Sequence, residues 1–539
     1  MKKTILIFLL ILSATDFCLS QLTSSNLPII VINTNGQNIP NEPKIMVDMG
    51  IIYNGPGIRN NVSDPFNHYN GKTGIELHGN SSQMFPMKSY GLELWDSTGA
   101  SVDKSLFGMP KESDWILYAP YTDKTFLRNY LAYTMSLELG HWAAHCRYVE
   151  VIINGDYRGV YVFMERLKRN ANRVNVTKIA ATDISGDKLS GGYIVRIDKD
   201  AEGWFSKFPP DGSPFGRIQF DYYFPKTVDI VPAQKTYIQS YLDSFEAALA
   251  AYNFQDPENG VRRFADINSF IDYFIVNEVS RNVDAYRLST YFYKDRQSKG
   301  GKLFAGPVWD YDLAFRNADY CNGSSISGWA YEFNNICRGD YWQVPFWWNR
   351  LMQDTAFKSA LRCRWKAARQ SSLNLDHINH MIDSITNLVD ESKDRHFLRW
   401  PILGQYVWPN PDPIPTTYAG EIAALKDWIK SRLLWMDSNI PNNGACFDWP
   451  AAAAESMIVK TYPNPFTSDI KITLVSKNDQ DIYLQVTDAV GRIMRIMKIT
   501  VIPGQNSIDA GIKNWSKGAY FLRFANNSGE KVLTKVIKY

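Results

Sequence analysis

Asp284, Asp310 and Asp312 are the residues of this 539-residue chain whose types and spacing could do chemistry. Asp310 and Asp312 stand one residue apart in "GPVWDYDLAF" (306–315), where Val308, Trp309, Leu313 and Phe315 would pack a core unaided. A buried carboxylate is costly unless something pairs with it, so two of them in an apolar run need a reason. The flanking segments "LSTYFYKD" and "KLFAGPVW" are β-type and joined by a polar loop centred near Ser298, which predicts a hairpin. Positions equidistant from its centre face one another, so Asp284 should lie opposite Asp312, and the strand period of two puts Asp310 on the same face. Three carboxylates at one open end suit a hard cation such as Mg²⁺ or Mn²⁺, which takes carboxylate, water and phosphate oxygens. Surface carboxylates capping turns are the competing account.

The elements that must position these residues read as an α+β body over residues 27–440. "LPIIVINT", "KIMVDMGIIY", "GIELHG" and "SYGLELWD" look like strands, and "RYVEVIINGDYRGVYVFMERL" like a hairpin turning at Asn-Gly-Asp. "DKTFLRNYLAYTMSLELG" predicts a helix with Asp123 as N-cap and Gly140 as stop. Two further helices, "QKTYIQSYLDSFEAALAAY" and "DINSFIDYFIVNEVSRNV", carry apolar stripes at helical spacing. The second runs into Asp284, and its Glu278 is placed to hold the following loop by a hydrogen bond. No internal repeat is evident.

Composition narrows the function classes. A formal net charge of +3 without long runs of like charge asks for neither nucleic acid nor an anionic membrane. Sixteen Trp and 30 Tyr fit aromatic-lined clefts and thick β-rich cores equally. A glycosidase would suit the aromatics, but Asp310 and Asp312 on one strand cannot flank a glycosidic bond from opposite sides. The opening "MKKTILIFLLILSATDFCLSQ" has the basic start, short apolar stretch and small residues near Ser20 of a signal peptide (1–20), which implies export. Cysteine spacing excludes a CxxC zinc site. Cys321 and Cys337 flank a polar loop and are read as a bridge, Cys363 with Cys446 as a second pairing, and Cys146 as a buried free thiol. His377 and His380 share a helix without a third ligand at hand.

At "PNNGACFDWPAAAAES" (441–456) the texture becomes linker-like, and beyond it short alternating strands predict a small β-sandwich over 457–539. There "YPNPFTSDIKITL", "VTDAVGRIM", "GAYFLRF" and the ending "KVIKY" resemble the C-terminal sorting domain of type IX secretion cargo. That resemblance implies recognition by the type IX machinery, passage through the periplasm to the outer surface, and lipopolysaccharide as an attachment point.

The body resembles the spore coat protein H (CotH) kinase-like family from about residue 30 to 430. The shared stretches are "GNSSQMFPMKSYGLEL", "DWILYAPYTDKTFLRNYLAY", "VIINGDYRGVYVFMERLKRNANRV", "NEVSRNVDAYRLSTYFYKD" and "GPVWDYDLAF". The resemblance implies an atypical protein-kinase fold that binds ATP with Mg²⁺ or Mn²⁺ and phosphorylates protein hydroxyls. Asp284 then matches the catalytic-loop aspartate that orients the acceptor hydroxyl, and Asp310 the metal-binding aspartate, with Asp312 beside it. Lys88 is the candidate phosphate contact, on a strand as that role requires, or else a strand-end lysine reaching water. Kinase-like sites often place Asn five residues after the catalytic aspartate; here Ser289 would be the second-metal ligand, with a shorter reach. Arg128 either points at the nucleotide or pairs with Asp123 or Glu138. Glu165 either borders the nucleotide or pairs with Arg166, Lys168 or Arg173. A non-catalytic surface binding or adhesion protein on the same fold is the alternative to a kinase.

Overall fold

The computed structural model describes residues 22–441 and 458–539, apart from 200–201, 213–215, 257, 477–478, 489–492, 513–514 and 527–530. The expected signal peptide and all but the first residue of the expected linker lie outside the described residues. The chain packs as two compact units. One takes the residues up to Tyr121 with Cys146–Glu165 and Ile385–Gln405; the other takes Thr122–His145, Arg166–Ser384 and Tyr406 onward.

In the first unit seven strands close a barrel: β1 (Ile29–Asn33), β2 (Ile45–Ile52), β3 (Tyr69–His78), β4 (Ser89–Trp95), β5 (Asp114–Tyr118), β6 (Cys146–Ile153) and β7 (Asp156–Glu165). Neighbours pair in the order β1-β2-β3-β4-β5-β7-β6, and a parallel β1–β6 ladder completes the ring. Closure leaves no edge strand to satisfy elsewhere. Alternate residues such as Ile32, Val47, Leu92, Trp115, Val149 and Phe163 fill one interior core. The β6–β7 turn is Asn154-Gly155, both at positive φ, as the expected hairpin requires. Strand β5, "DWILY", carries no alternation to announce it because four of its five residues are buried.

The second unit holds a five-stranded antiparallel sheet of β8 (Tyr193–Ile197), β9 (Trp204–Phe205), β10 (Gln219–Phe224), β11 (Thr290–Lys294) and β12 (Leu303–Ala305), ordered β9-β10-β8-β11-β12. Among its helices, those that bear on the site are α1 (Arg128–Glu138), α2 (Pro232–Ala250) and α3 (Ile267–Ser280). Helix α1 begins later than the sequence suggests, with Leu127 at the N-cap. Asp123 still serves its start from a distance, accepting from Arg128 N at 2.8 Å. Helix α3 is buried from Ser269 to Ser280 on every side, so it is a core helix and not the striped one expected.

The hairpin β11–β12 forms with Phe292 opposite Ala305 and Lys294 opposite Leu303, a centre within half a residue of Ser298. Its ladder does not extend to the aspartates. Ser289 turns left-handed at φ 46° before β11, and Gly306 (φ 107°) followed by Pro307, which has no N–H to donate, ends β12. Strand alternation therefore does not set the directions of Asp284, Asp310 and Asp312; loops do.

Residues 458–539 form strands β13 (Ile458–Tyr462), β14 (Lys471–Ser476), β15 (Gln480–Asp488), β16 (Ile493–Val501), β17 (Gly504–Ile508), β18 (Gly518–Asn526) and β19 (Lys531–Lys538). They build sheets ordered β13-β14-β17 and β16-β15-β18-β19. Ile472, Leu474 and Ile508 from one sheet share a core with Leu484, Leu522 and Val536 from the other, which makes the expected sandwich.

Candidate active site

Two loops of the second unit carry the three aspartates. The first leaves α3 through Arg281, left-handed at φ 42°, whose N–H bonds back to Asn277 O and Glu278 O and so closes the helix. Asn282 then joins the loops: its Oδ1 accepts from Asp284 N at 3.1 Å, and its Nδ2 donates to Asp310 O at 3.3 Å. Arg287, 2% exposed at its side chain, donates to Asp284 Oδ1 at 2.7 Å and reaches Asp340 Oδ1 and Trp342 O at 3.3 and 3.2 Å. That contact fixes Asp284 through one oxygen and leaves Oδ2 to face a partner.

The second loop is hung on α1. Tyr311 N donates to Asn129 Oδ1 at 2.6 Å, Asp310 N to Tyr133 Oη at 3.2 Å, and Trp309 stacks on Tyr133. On the α3 side, Tyr311 Oη donates to Asn277 Oδ1 and Phe315 N to Ser280 O, both at 2.7 Å. Asp310 adopts φ 62°, and Tyr286 in the first loop φ 69°. Left-handed backbone at a non-glycine residue costs on the order of 1 kcal/mol or more and persists only where the surroundings impose it.

Asp310 and Asp312 share a hydrogen bond between their carboxyl groups. Asp310 is exposed and Asp312 half-buried, and protein atoms crowd both carboxyl groups. Crowding raises the pKa of Asp310 first, with the charges of Asp284 and Asp198 adding to it and Lys199 opposing. Asp312 is raised well above the carboxylate range, first by burial and then by Asp310, Asp284 and Asp123. The three expected aspartates are thus within electrostatic reach of one another.

Among the described residues, no group of three or more His, Cys, Asp or Glu side chains is arranged to hold a metal ion. Asp310 and Asp312 interact directly, and Asp284 acts on both through its charge. A pair fits one kind of site: Mg²⁺ is commonly held by one or two carboxylates, with phosphate oxygens and water completing its shell.

The other candidates fall as follows. Ser289 donates its backbone N–H to Asp198. Arg128 is 3% exposed; its guanidinium pairs with Asp123 and donates through Nε to Ala314 O at 3.1 Å, so it braces the loop that follows Asp312. In the barrel unit, Lys88 lies one residue before β4 and donates from Nζ to Gln83 O at 2.6 Å. Glu165 closes β7, buried, opposite Trp115. Glu278 holds its loop as anticipated, accepting from Tyr286 Oη at 3.0 Å. Asn282, Arg287, Asp198 and Lys199 escaped the sequence reading. Arg287, three residues after Asp284, had a spacing signal; Asp198 and Lys199 come from the end of β8 and had none.

The cysteines pair as read where they are described. Cys321 bridges Cys337, Cys146 is free and buried, and Cys363 is disulfide-bonded, while Cys446 lies outside the described residues.

Residues 75–436 match the family described as CotH kinase protein, and residues 460–539 match the secretion system C-terminal sorting domain. None of the curated proteins compared matches the chain. No helix among the described residues is long and apolar enough to cross a membrane.

Proposed function

The chain belongs to the CotH kinase family, and we propose that it is an exported atypical protein kinase that moves the γ-phosphate of ATP to Ser or Thr hydroxyls of a secreted or cell-surface protein. The observation that supports this reading is the Asp310–Asp312 carboxyl pair, with Asp284 in electrostatic reach and tethered through Oδ1. In this reading Asp310 and Asp312 would hold Mg²⁺ or Mn²⁺, with Ser289 as the candidate second-metal ligand. The cation, when bound, would offset charge on the phosphate oxygens.

Asp284 orients the acceptor hydroxyl through Oδ2. The acceptor oxygen attacks the γ-phosphorus while the bond to the β–γ bridging oxygen breaks; ADP leaves, and the hydroxyl proton passes to Asp284. Lys88 remains the candidate phosphate contact, and Glu165 is a candidate to border the nucleotide, with pairing to Arg166, Lys168 or Arg173 as its other reading. Arg128, committed to Asp123 and Ala314 O, acts by positioning the loop.

The sorting domain implies export to the cell surface or outer membrane. Handling by the type IX machinery and attachment to lipopolysaccharide complete the proposal. Ser289, in place of the metal-binding Asn, favours one rival, a non-catalytic surface-binding protein on the same fold. Melting curves separate the two. Millimolar Mn²⁺ should raise the melting temperature, and ATP should raise it further only with the metal present. No metal-dependent ATP shift would overturn the kinase reading and leave the binding protein.

A further inference from the structure

Large aromatic side chains stand exposed where the Asp284 loop reaches its neighbours. Arg287 links Asp284 to the segment 340–342, taking Asp340 Oδ1 and Trp342 O with the same guanidinium that holds Asp284. In that segment Tyr341 is 61% and Trp342 36% exposed, their rings set edge to face 5.6 Å apart. Lys199, whose charge reaches Asp310, lies 5.9 Å from the Trp342 ring.

A second aromatic group approaches from Tyr320. Its ring stacks on Trp408 at 6.0 Å and 8°, and Trp408 is 40% exposed. The next turn is tied in by Asp319 N donating to Pro409 O and by Tyr406 Oη donating to Asp319 Oδ2 at 2.7 Å. The charges of Asp284 and Asp312 both act on the Tyr320 hydroxyl, as does Asp340.

The two groups are stapled together. Cys321, next to Tyr320, is bridged to Cys337, four residues before Tyr341, with Cα atoms 5.6 Å apart. The enclosed loop is clamped to α3: Glu278 accepts from Ala330 N and Tyr331 N, and Arg281 donates to Asn322 O and Gly328 O. Exposed aromatics gathered into one patch, unlike singly scattered ones, mark an interaction surface. Held in advance, they lose little freedom on binding.

We propose that Tyr341, Trp342 and the Tyr320–Trp408 stack form a pre-ordered aromatic platform for the acceptor polypeptide, selecting Ser or Thr flanked by aromatic or aliphatic residues. The occupant follows from continuity: a hydroxyl that reaches Asp284 brings its neighbouring side chains onto these rings. Asp319, beside the Tyr320–Trp408 stack, disfavours an acidic side chain there. The inference rests on the kinase reading for its substrate, but docking can be measured without transfer.

The test uses the full chain, Mn²⁺-ATP and a synthetic peptide pool with a central Ser or Thr and varied flanks. Phosphate incorporation is read by mass, and the Asp284→Asn variant captures peptides from the same pool. Aromatic-flanked peptides should exceed alanine-flanked ones by about tenfold in kcat/KM, and Trp342→Ala and Trp408→Ala should each erode that ratio. The metal-dependent ATP shift should persist in both variants. Tyr341→Ala, at a more exposed site, serves if either tryptophan variant fails to fold. Cys321→Ser with Cys337→Ser should lower selectivity while keeping the ATP shift. Transfer without flank preference, or preference unchanged in the variants, overturns the platform. Selective capture without transfer overturns the kinase reading alone, and neither transfer nor selective capture overturns both.

Discussion

At the scale of residues, Asp310 and Asp284 divide the proposed work. Asp310 lies against Asp312, and the pair keeps its protons to higher pH because crowding and neighbouring charge disfavour two carboxylates together. Asp310→Asn keeps the shape but removes the charge that would hold a cation, so it should abolish the stabilisation by Mn²⁺ and ATP. Asp284→Asn should retain that stabilisation and cut transfer by about 10² or more, the range of general-base contributions. Equal loss of the thermal shift in both variants would contradict the division. The aspartates themselves were legible, since charge in an apolar run has no packing reason. Their mutual placement was not. Hairpin symmetry located the centre to within half a residue, but Ser289 and Pro307 end the ladder before the aspartates. The pair comes together through a left-handed Asp310 held by Tyr133 and Asn282, with the intervening Tyr311 held by Asn129.

At the scale of elements, α3 and the barrel show why sequence pattern carried the reading only part of the way. Turn chemistry such as Asn154-Gly155 is local and was readable. Ring closure of β1 on β6 depends on residues about 120 positions apart and leaves no local mark. Burial of α3 also sets up a strong ion pair: Glu278 and Arg432, both fully buried, meet at 3.2 Å, and Glu278 also accepts from Ala330 N and Tyr331 N. Glu278→Ala would leave Arg432 charged without its carboxylate, a loss of about 3–5 kcal/mol measurable by urea unfolding. In α2, burial raises the Glu246 carboxyl to about 7, against hydrogen bonds from Ser206 and Trp347 that lower it. A raised carboxyl destabilises the fold while ionised. The penalty is full above the folded value and disappears as pH falls through about 7 toward 4.5. Stability should therefore gain up to about 3 kcal/mol from this group between pH 8 and pH 5. Glu246→Gln should flatten that part of the pH profile; an unchanged profile would contradict the assignment.

At the scale of the whole molecule, the sandwich beyond residue 457 has its own closed core, and its seven strands carry the sorting-domain match. Removing it should leave a folded, active body that no longer appears outside the cell, checked by surface protease digestion and immunoblotting of fractions. Surface display of the truncated chain would contradict the sorting role. The family membership and the sorting domain were both readable in the sequence because they rest on long stretches of matched residues. Activity is a different kind of claim, since it depends on a few oxygens in two loops. The most direct measurement is transfer of label from γ-labelled ATP, with Mn²⁺ and the full chain, to co-incubated cell-surface proteins. The account predicts label on Ser or Thr with the natural sequence, about a hundredfold less or lower with Asp284→Asn, and none with Asp310→Asn. No label above background with the natural sequence, or equal label with either variant, would contradict it.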